Sequence, residues 1–174
     1  GSSARSFVKA GARVVALGTK QEKLDKTLAE LRENGGQAIG FTGNVLDVQR
    51  LTEIAGAVVA EWGCIDILLN IAGGNTPGAT LKPDQNFFDM QLPEWDYVTS
   101  LNLNGAVYPS YVFGKVMAAQ GSGAIVNISS MASMQAITRV PGYSAAKSAI
   151  DNFTKWLACD MALKFGDGIR VNAV

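Results

Sequence analysis

The sequence predicts a single α/β domain in which helices cover both faces of a doubly wound parallel sheet. Three observations support this fold class: strand-like and helix-like segments alternate, the strand-like segments are short and apolar throughout, and 48% of the 174 residues are hydrophobic. Strands that are apolar on both sides are typical of parallel sheets, whose two faces are both buried. A chain of this length fits one domain, residues 1–174, and its sequence contains no internal repeat.

Nine elements are predicted in strict alternation. Short apolar runs predict the strands, and the longer segments between them predict the helices. In chain order the elements are strand 13–17, helix 21–33, strand 38–42, helix 48–62, strand 65–69, helix 94–119, strand 124–128, helix 142–165 and strand 169–174. Two long connections, 73–93 and 131–141, remain, and loops of such length in a compact domain are often functional.

Composition narrows the class of function. Lys plus Arg and Asp plus Glu number 15 each, so no net charge attracts nucleic acid or an anionic membrane. The chain has no histidine, which excludes Ser-His-Asp and Cys-His nucleophiles and histidine zinc sites, and we predict no metal site. No apolar stretch in the sequence approaches the ~18 residues of a membrane span, and we expect no signal peptide. We expect a cytoplasmic protein that acts on a small molecule, with Cys64 and Cys159 as reduced thiols.

Tyr143 and Lys147 form the most informative pair in the sequence. Residues four apart on a helix share a face, so the lysine ammonium can lie beside the phenol. A free tyrosine ionises near pH ~10, about 4 kcal/mol away from neutral pH. A unit charge at ~4 Å in an effective dielectric of ~20 contributes about that much. The spacing therefore predicts that Lys147 prepares Tyr143 for proton transfer.

Polar residues follow two of the predicted strands. Strand 124–128 delivers Ser129 and Ser130, thirteen residues before Tyr143, and strand 65–69 delivers Asn70-Ile71-Ala72-Gly73. Open α/β sheets bind ligands at the carboxyl ends of their strands. We therefore expect Ser130 to hold a substrate oxygen while Tyr143 exchanges a proton with it.

With these residues the chain resembles the short-chain dehydrogenase/reductase family. The family's Asn-Asn-Ala-Gly motif corresponds to Asn70-Ile71-Ala72-Gly73, with isoleucine second, and its helix asparagine corresponds to Asn102. The resemblance implies a Rossmann-type domain, NAD(P)-dependent hydride transfer and a catalytic set of Asn102, Ser130, Tyr143 and Lys147. It further implies that Asn102 anchors a proton relay through Lys147, which also holds the ribose hydroxyls, and that Tyr143, Asn70, Ala72 and Gly73 border the dinucleotide.

The resemblance also predicts residues beyond both ends of the sequence. Nucleotide-binding sheets of this kind begin with a strand and a glycine-rich turn, whereas this chain opens with Gly1-Ser2-Ser3 at about the point where that turn should end. It stops within segment 169–174, where the family continues. We expect a longer protein, since a sheet lacking its first strand has an unpaired edge in its middle.

The cofactor preference is predicted from the end of strand 13–17. NAD-preferring dehydrogenases place an acid there, whereas this chain has Gly18-Thr19-Lys20, which favours NADP(H) over NAD(H). The alternative is that Thr19 caps the next helix and Lys20 lies in solvent. Asn44 and Val45 stand where the family has aspartate and valine near the adenine, and an amide oxygen can still accept a hydrogen bond from an amine.

The two long connections are interpreted as the substrate rim, with a solvated insertion as the alternative for 73–93. Asn75 is the best polar candidate in the first, and Phe87, Phe88 and Trp95 are expected in the core, with subunit contacts as the alternative. Arg139 is the only charged residue between Ser130 and Tyr143; it either binds a substrate carboxylate or is solvated.

These loops resemble those of D-mannonate oxidoreductases, or fructuronate reductases, within the family, so the expected substrate is a sugar acid. A ketoacyl-carrier reductase and a non-catalytic dinucleotide sensor are the alternatives. The resemblance implies a homotetramer or homodimer formed through helices 94–119 and 142–165.

Overall fold

The computed structural model describes residues 1–33 and 35–174. Within them the chain forms five helices and five strands, joined in places by short 3-10 turns. The elements are α1 (Ser2–Lys9), β1 (Val14–Gly18), α2 (Gln21–Glu33), β2 (Ala38–Thr42), α3 (Val48–Trp62), β3 (Ile67–Asn70), α4 (Leu92–Gln120), β4 (Gly123–Asn127), α5 (Pro141–Phe165) and β5 (Ile169–Ala173). All nine predicted elements are present, with ends that differ by at most two residues.

The strands pair in parallel, as predicted, but in two separate sheets. β1 pairs with β2, so that Val14 lies opposite Ala38. β4 pairs with β3 on one side and with β5 on the other. Because the strands of each sheet run parallel, the segments that follow their carboxyl ends emerge at one edge of that sheet.

A groove separates the two sheets. No strand in the described part of the chain pairs with the second edge of β1 or of β3, and both strands line a cavity of about 880 Å³. This is the unpaired edge that the sequence predicts in the middle of the sheet.

Helices cover both faces of the β1–β2 sheet. On one face, Val14 and Ala16 pack against α2 through a row of buried leucines, Leu24, Leu28 and Leu31. On the other face, Val15 and Leu17 pack against α3 and α4. Alternate residues of one strand thus enter two cores, which is why the strand is apolar throughout.

The second sheet differs from the expectation of two covered faces. α4 and α5 pack against it through Met117 and Leu157, which meet Ile125 of β4. Along β5, Ile169 and Val171 are buried, whereas Arg170 and Asn172 are exposed. One face of β5 is therefore open to solvent.

The ends of the helices carry recognisable signals. Asp47 caps α3 by accepting a hydrogen bond from the backbone N–H of Arg50 at 3.0 Å. α5 opens on Pro141, whose missing N–H costs nothing in a first helical turn. These local signals explain why the start of α3 was predicted correctly and that of α5 to within one residue.

Two further features differ from the sequence predictions. Helix α1 was not foreseen, because its eight residues are mostly polar and it is held by tertiary contacts of Ala4 and Val8 with the α2 and β1 core. Phe87 and Phe88 are 60% and 91% exposed, so their assignment to the core was wrong. None of the helices in the described residues has the length and apolar character needed to cross a membrane.

Candidate active site

The carboxyl ends of β3 and β4 lie side by side. Asn70 and Asn127 are opposite each other in the last register pair, and the Asn70 side-chain amide donates to Asn127 Oδ1 at 2.8 Å. The segments that follow, with Ala72 and Gly73 on one side and Ser129 and Ser130 on the other, therefore leave the sheet together.

Lys147 is the buried cation of this site. Its side chain is 4% exposed, and Nζ donates to the backbone oxygen of Ile128 at 2.6 Å. Nζ lies 5.5 Å from the centroid of the Tyr143 ring. Burial lowers the pKa of Lys147 from the ordinary lysine value, and the negative charge of Asp151 opposes that effect. The predicted pairing of Lys147 with Tyr143 is present.

Tyr143 and Ser130 are both half-buried at the edge of the site. No group in the described residues hydrogen-bonds the Tyr143 hydroxyl, so it is available to a substrate. Ser130 Oγ accepts from the backbone N–H of Ala132 at 3.1 Å and thereby caps the 3-10 turn Met131–Ser133. That turn packs against α5, the helix that carries Tyr143. A hydroxyl that accepts one hydrogen bond can still donate its own proton to a substrate oxygen.

Asn102 clamps the segment that follows β3. It is fully buried, and its side chain pairs with both backbone groups of Gly74: Oδ1 accepts from the N–H at 2.9 Å, and Nδ2 donates to the carbonyl at 2.6 Å. Gly73 has φ 154°, and a Cβ there would lie 2.6 Å from Asn102 Oδ1 and 3.7 Å from Lys147 Nζ. Glycine is therefore required at position 73, between the Asn102 amide and the Lys147 ammonium.

Asn70 lies below the site. Its amide donates to Asn127 Oδ1, to Ser110 Oγ at 3.0 Å and to the Ala106 carbonyl, and it is 6% exposed. Asn127 in turn donates to Thr154 at 2.9 Å. This buried network ties β3 and β4 to both long helices. The Asn70 side chain is thus hydrogen-bonded to protein groups, and its role at the dinucleotide stays a prediction.

Six of the residues predicted to bind the dinucleotide line the groove between the sheets: Gly18, Thr19, Lys20, Val45, Asn70 and Ala72. Gly105 of α4 brings two of these segments together, because a Cβ there would lie 3.3 Å from Val45 and 3.7 Å from the Ala72 carbonyl. The exposed Thr19 hydroxyl and Lys20 ammonium supply donors at one end. Hydroxyl and ammonium donors at the carboxyl ends of strands are of the kind that bind the phosphate and ribose oxygens of a dinucleotide, whereas the rest of the groove is the gap between the unpaired edges of β1 and β3.

Asn44 and Lys20 stand at chain turns beside this groove. Asn44 Oδ1 accepts from the backbone N–H of Leu46 at 3.0 Å, so the amide oxygen predicted to face an adenine amine already stabilises its own turn. The Lys20 backbone oxygen accepts from Leu24 at the start of α2, and its side chain is exposed.

Arg139 joins the two rim loops. Its Nε donates to the Leu81 carbonyl at 2.6 Å, and Leu81 N–H donates to the Arg139 carbonyl at 2.9 Å. Its backbone has φ 73°, unusual for a residue other than glycine. Its terminal nitrogens have no partner among the described residues. Asn75, the other predicted substrate residue, is exposed and donates to Thr80 Oγ1.

Sequence reasoning missed Gly105 and Asp151. Gly105 could have been found from its place three residues after Asn102, on the same helix face. Asp151 stands one turn after Lys147 and accepts a hydrogen bond from Ser129. Nothing in the sequence pairs an acid on one element with a serine 22 residues away.

Comparison with known proteins identifies the family. A family model described as short chain dehydrogenase matches residues 2–174. The chain belongs to the short-chain dehydrogenase family. It is 37% identical over 179 residues to an uncharacterized oxidoreductase of Bacillus subtilis, which covers 98% of this chain and 63% of that protein. The family assignment made from the sequence motifs is confirmed.

Two solved structures of family members show the same fold. A proposed D-mannonate oxidoreductase from Haemophilus influenza with bound NAD is 38% identical, with a TM-score of 0.88 over 98% of this chain and 63% of that one. Actinorhodin polyketide ketoreductase with NADPH is 34% identical, with a TM-score of 0.86 over 98% of this chain and 62% of that one. The chain spans 60–63% of the length of the first curated relatives that it matches.

Proposed function

We propose that the protein is an NAD(P)-dependent oxidoreductase that interconverts a secondary alcohol and a ketone. The observation that carries this proposal is the buried Lys147 ammonium beside the Tyr143 ring, at the carboxyl edge where Ser130 leaves β4. A bound dinucleotide supplies the hydride acceptor in oxidation and the hydride donor in reduction.

The residues of the chain supply binding and proton transfer. Ser130 donates a hydrogen bond to the substrate oxygen, and Tyr143 takes the hydroxyl proton in oxidation or returns it in reduction. The Lys147 ammonium lies beside the Tyr143 ring and would bind the ribose hydroxyls of a dinucleotide. Asn102 holds the Gly73–Gly74 backbone in place beside Lys147 and is the residue that we assign to the proton relay.

For the cofactor we favour NADP(H). Segment 18–20 contains no carboxylate to repel a 2′-phosphate, and the Thr19 hydroxyl and Lys20 ammonium are exposed at the groove. The Haemophilus protein, in contrast, was crystallised with NAD. Dissociation constants for both dinucleotides, in the wild type and in Lys20→Ala, test the preference: the variant should weaken NADP(H) binding and spare NAD(H).

For the substrate we propose a sugar acid. Arg139 stands on the rim with its terminal guanidinium nitrogens directed to no protein acceptor in the described residues, and a guanidinium fork fits a carboxylate. The loop likeness to D-mannonate oxidoreductases supports the same class.

The expected assembly is a homodimer or homotetramer through α4 and α5. Three large apolar side chains of these helices are exposed and available to a second subunit: Tyr111 at 71%, Trp156 at 61% and Leu163 at 83%. Sedimentation velocity would give the oligomeric state, and a monomer at assay concentration would contradict this part of the proposal.

Nicotinamide absorbance during turnover tests the function directly. The purified protein would be assayed with NADP and NAD against a panel of sugar acids, matched polyols and ketoacyl thioesters. We expect the highest kcat/KM with a sugar acid. Dinucleotide binding without turnover on any substrate would favour the sensor, and preference for thioesters would favour the ketoacyl reductase.

A further inference from the structure

Polar contacts fasten the end of β4 to helix α5 beside the proposed catalytic residues. The Ser129 hydroxyl donates to the Asp151 carboxylate, and Ser129 N–H donates to the Val174 carbonyl at 2.6 Å. The residue that follows is Ser130. Asp151 stands four residues after Lys147, on the same helix face.

A second set of contacts fixes the turn that Ser130 caps. Ser133 Oγ donates to the Ser130 carbonyl at 2.8 Å, and Ser148 Oγ of α5 donates to the Ser133 carbonyl at 3.3 Å. The turn Met131–Ser133 is thus held at its start by Ser129 and Asp151 and at its end by Ser148. The position of the Ser130 turn on α5, the helix that carries Tyr143, therefore depends on both attachments.

Asp151 is also the acidic group whose charge acts on Lys147. Burial lowers the pKa of Lys147, and the Asp151 charge raises it. The other groups near Lys147 among the described residues are the Ile128 carbonyl just after β4, the Gly73 backbone, and Tyr143 on α5. Of these only Tyr143 can titrate.

We propose that Asp151 is a positioning residue of the active site, which fastens the Ser130 turn to α5 through Ser129 and supplies the counter-charge to the Lys147 ammonium. Asp151 acts through Ser129 and Lys147 and does not itself contact the substrate. The inference rests on the proposed function for its kinetic measurements, but the titration of Lys147 needs neither dinucleotide nor substrate.

Two substitutions separate the charge from the attachment. Asp151→Asn removes the charge but keeps an amide oxygen that can accept from Ser129. Ser129→Ala removes the donor and keeps the charge. Asp160→Asn is the matched control, because Asp160 is the other acid of α5, nine residues further along the helix and away from the site. Circular dichroism would establish that each variant is folded.

The charge is measured by ¹³C NMR of protein labelled at the lysine ε-carbons, with Lys147→Arg to assign the resonance. In Asp151→Asn the Lys147 resonance should titrate at lower pH than in wild type, because an opposing negative charge is lost. The alkaline limb of kcat should move in the same direction. Asp160→Asn should leave both unchanged.

The attachment is measured by turnover. Ser129→Ala should lower kcat about tenfold, the equivalent of one hydrogen bond to a charged group, while Lys147 titrates as in wild type. An unchanged Lys147 titration in Asp151→Asn, or a wild-type kcat in Ser129→Ala, would overturn the proposal. If no substrate is turned over, the proposed function fails, and the Lys147 titration still decides whether Asp151 is its counter-charge.

Discussion

Asn102→Ala should destabilise the protein by about 2–4 kcal/mol, because it releases the segment that follows β3. The substitution removes hydrogen bonds of 2.9 and 2.6 Å to the backbone of Gly74. Each contributes about 0.5–1.5 kcal/mol, and the cavity left by a fully buried side chain adds about 1 kcal/mol. The third bond, to the Val98 carbonyl, adds little, since that oxygen also accepts the helix's own backbone bond.

Thermal unfolding measures this loss. At about 2–4 °C per kcal/mol for a chain of this size, Tm should fall by about 4–16 °C. Asn104→Ala is the matched control, since Asn104 lies on the same helix, is half-buried and makes a 3.2 Å bond to Ser100 Oγ. Its Tm should change by only a few degrees.

Two results would contradict this reasoning. Equal losses in Asn102→Ala and Asn104→Ala would mean that the clamp on Gly74 contributes nothing special. A wild-type Tm in Asn102→Ala together with a large loss of kcat would mean that Asn102 acts in proton transfer and not through the backbone of Gly74.

Three further predictions concern the chemistry. Tyr143→Phe should retain dinucleotide binding and lose at least ~10²-fold in kcat, whereas Lys147→Ala should lose both; near-normal turnover of Tyr143→Phe at the pH optimum would refute the assignment. Arg139→Ala should lower kcat/KM about ten- to a hundredfold on a sugar acid and spare the matched polyol, because a hydrogen bond to a charged group is lost. Equal losses on both substrates would mean that Arg139 only holds the loop through its bond to Leu81 and does not bind a carboxylate. The proposed mechanism needs the charged form of Lys147, and burial lowers the pKa of that group. As the pH rises, a pH–rate profile should therefore show activity falling before the ordinary lysine value of 10.5 is reached. A decline that begins only at or above 10.5 would show that the ammonium is not required.

The sequence by itself determined the order of nine of the ten helices and strands and pointed to the residues proposed as the catalytic set. Strands and helices have fixed side-chain periods, so five apolar runs and the segments between them are readable one at a time. The pairing of Tyr143 with Lys147 follows from a single helical turn, and the placement of Ser130 follows from the end of a single strand. Each of these inferences needs only neighbours along the chain.

The tertiary structure decided what each polar side chain contacts. Asn70 donates to a residue 57 positions away, Asn102 clamps a backbone 28 positions away, and Ser129 finds Asp151 22 positions away. The separation of the sheets, the docking of α1 and the exposure of Phe87 and Phe88 likewise depend on distant partners. Hydrogen bonding and burial act between whichever groups the fold brings within a few ångströms, and sequence periodicity carries no information about such distances.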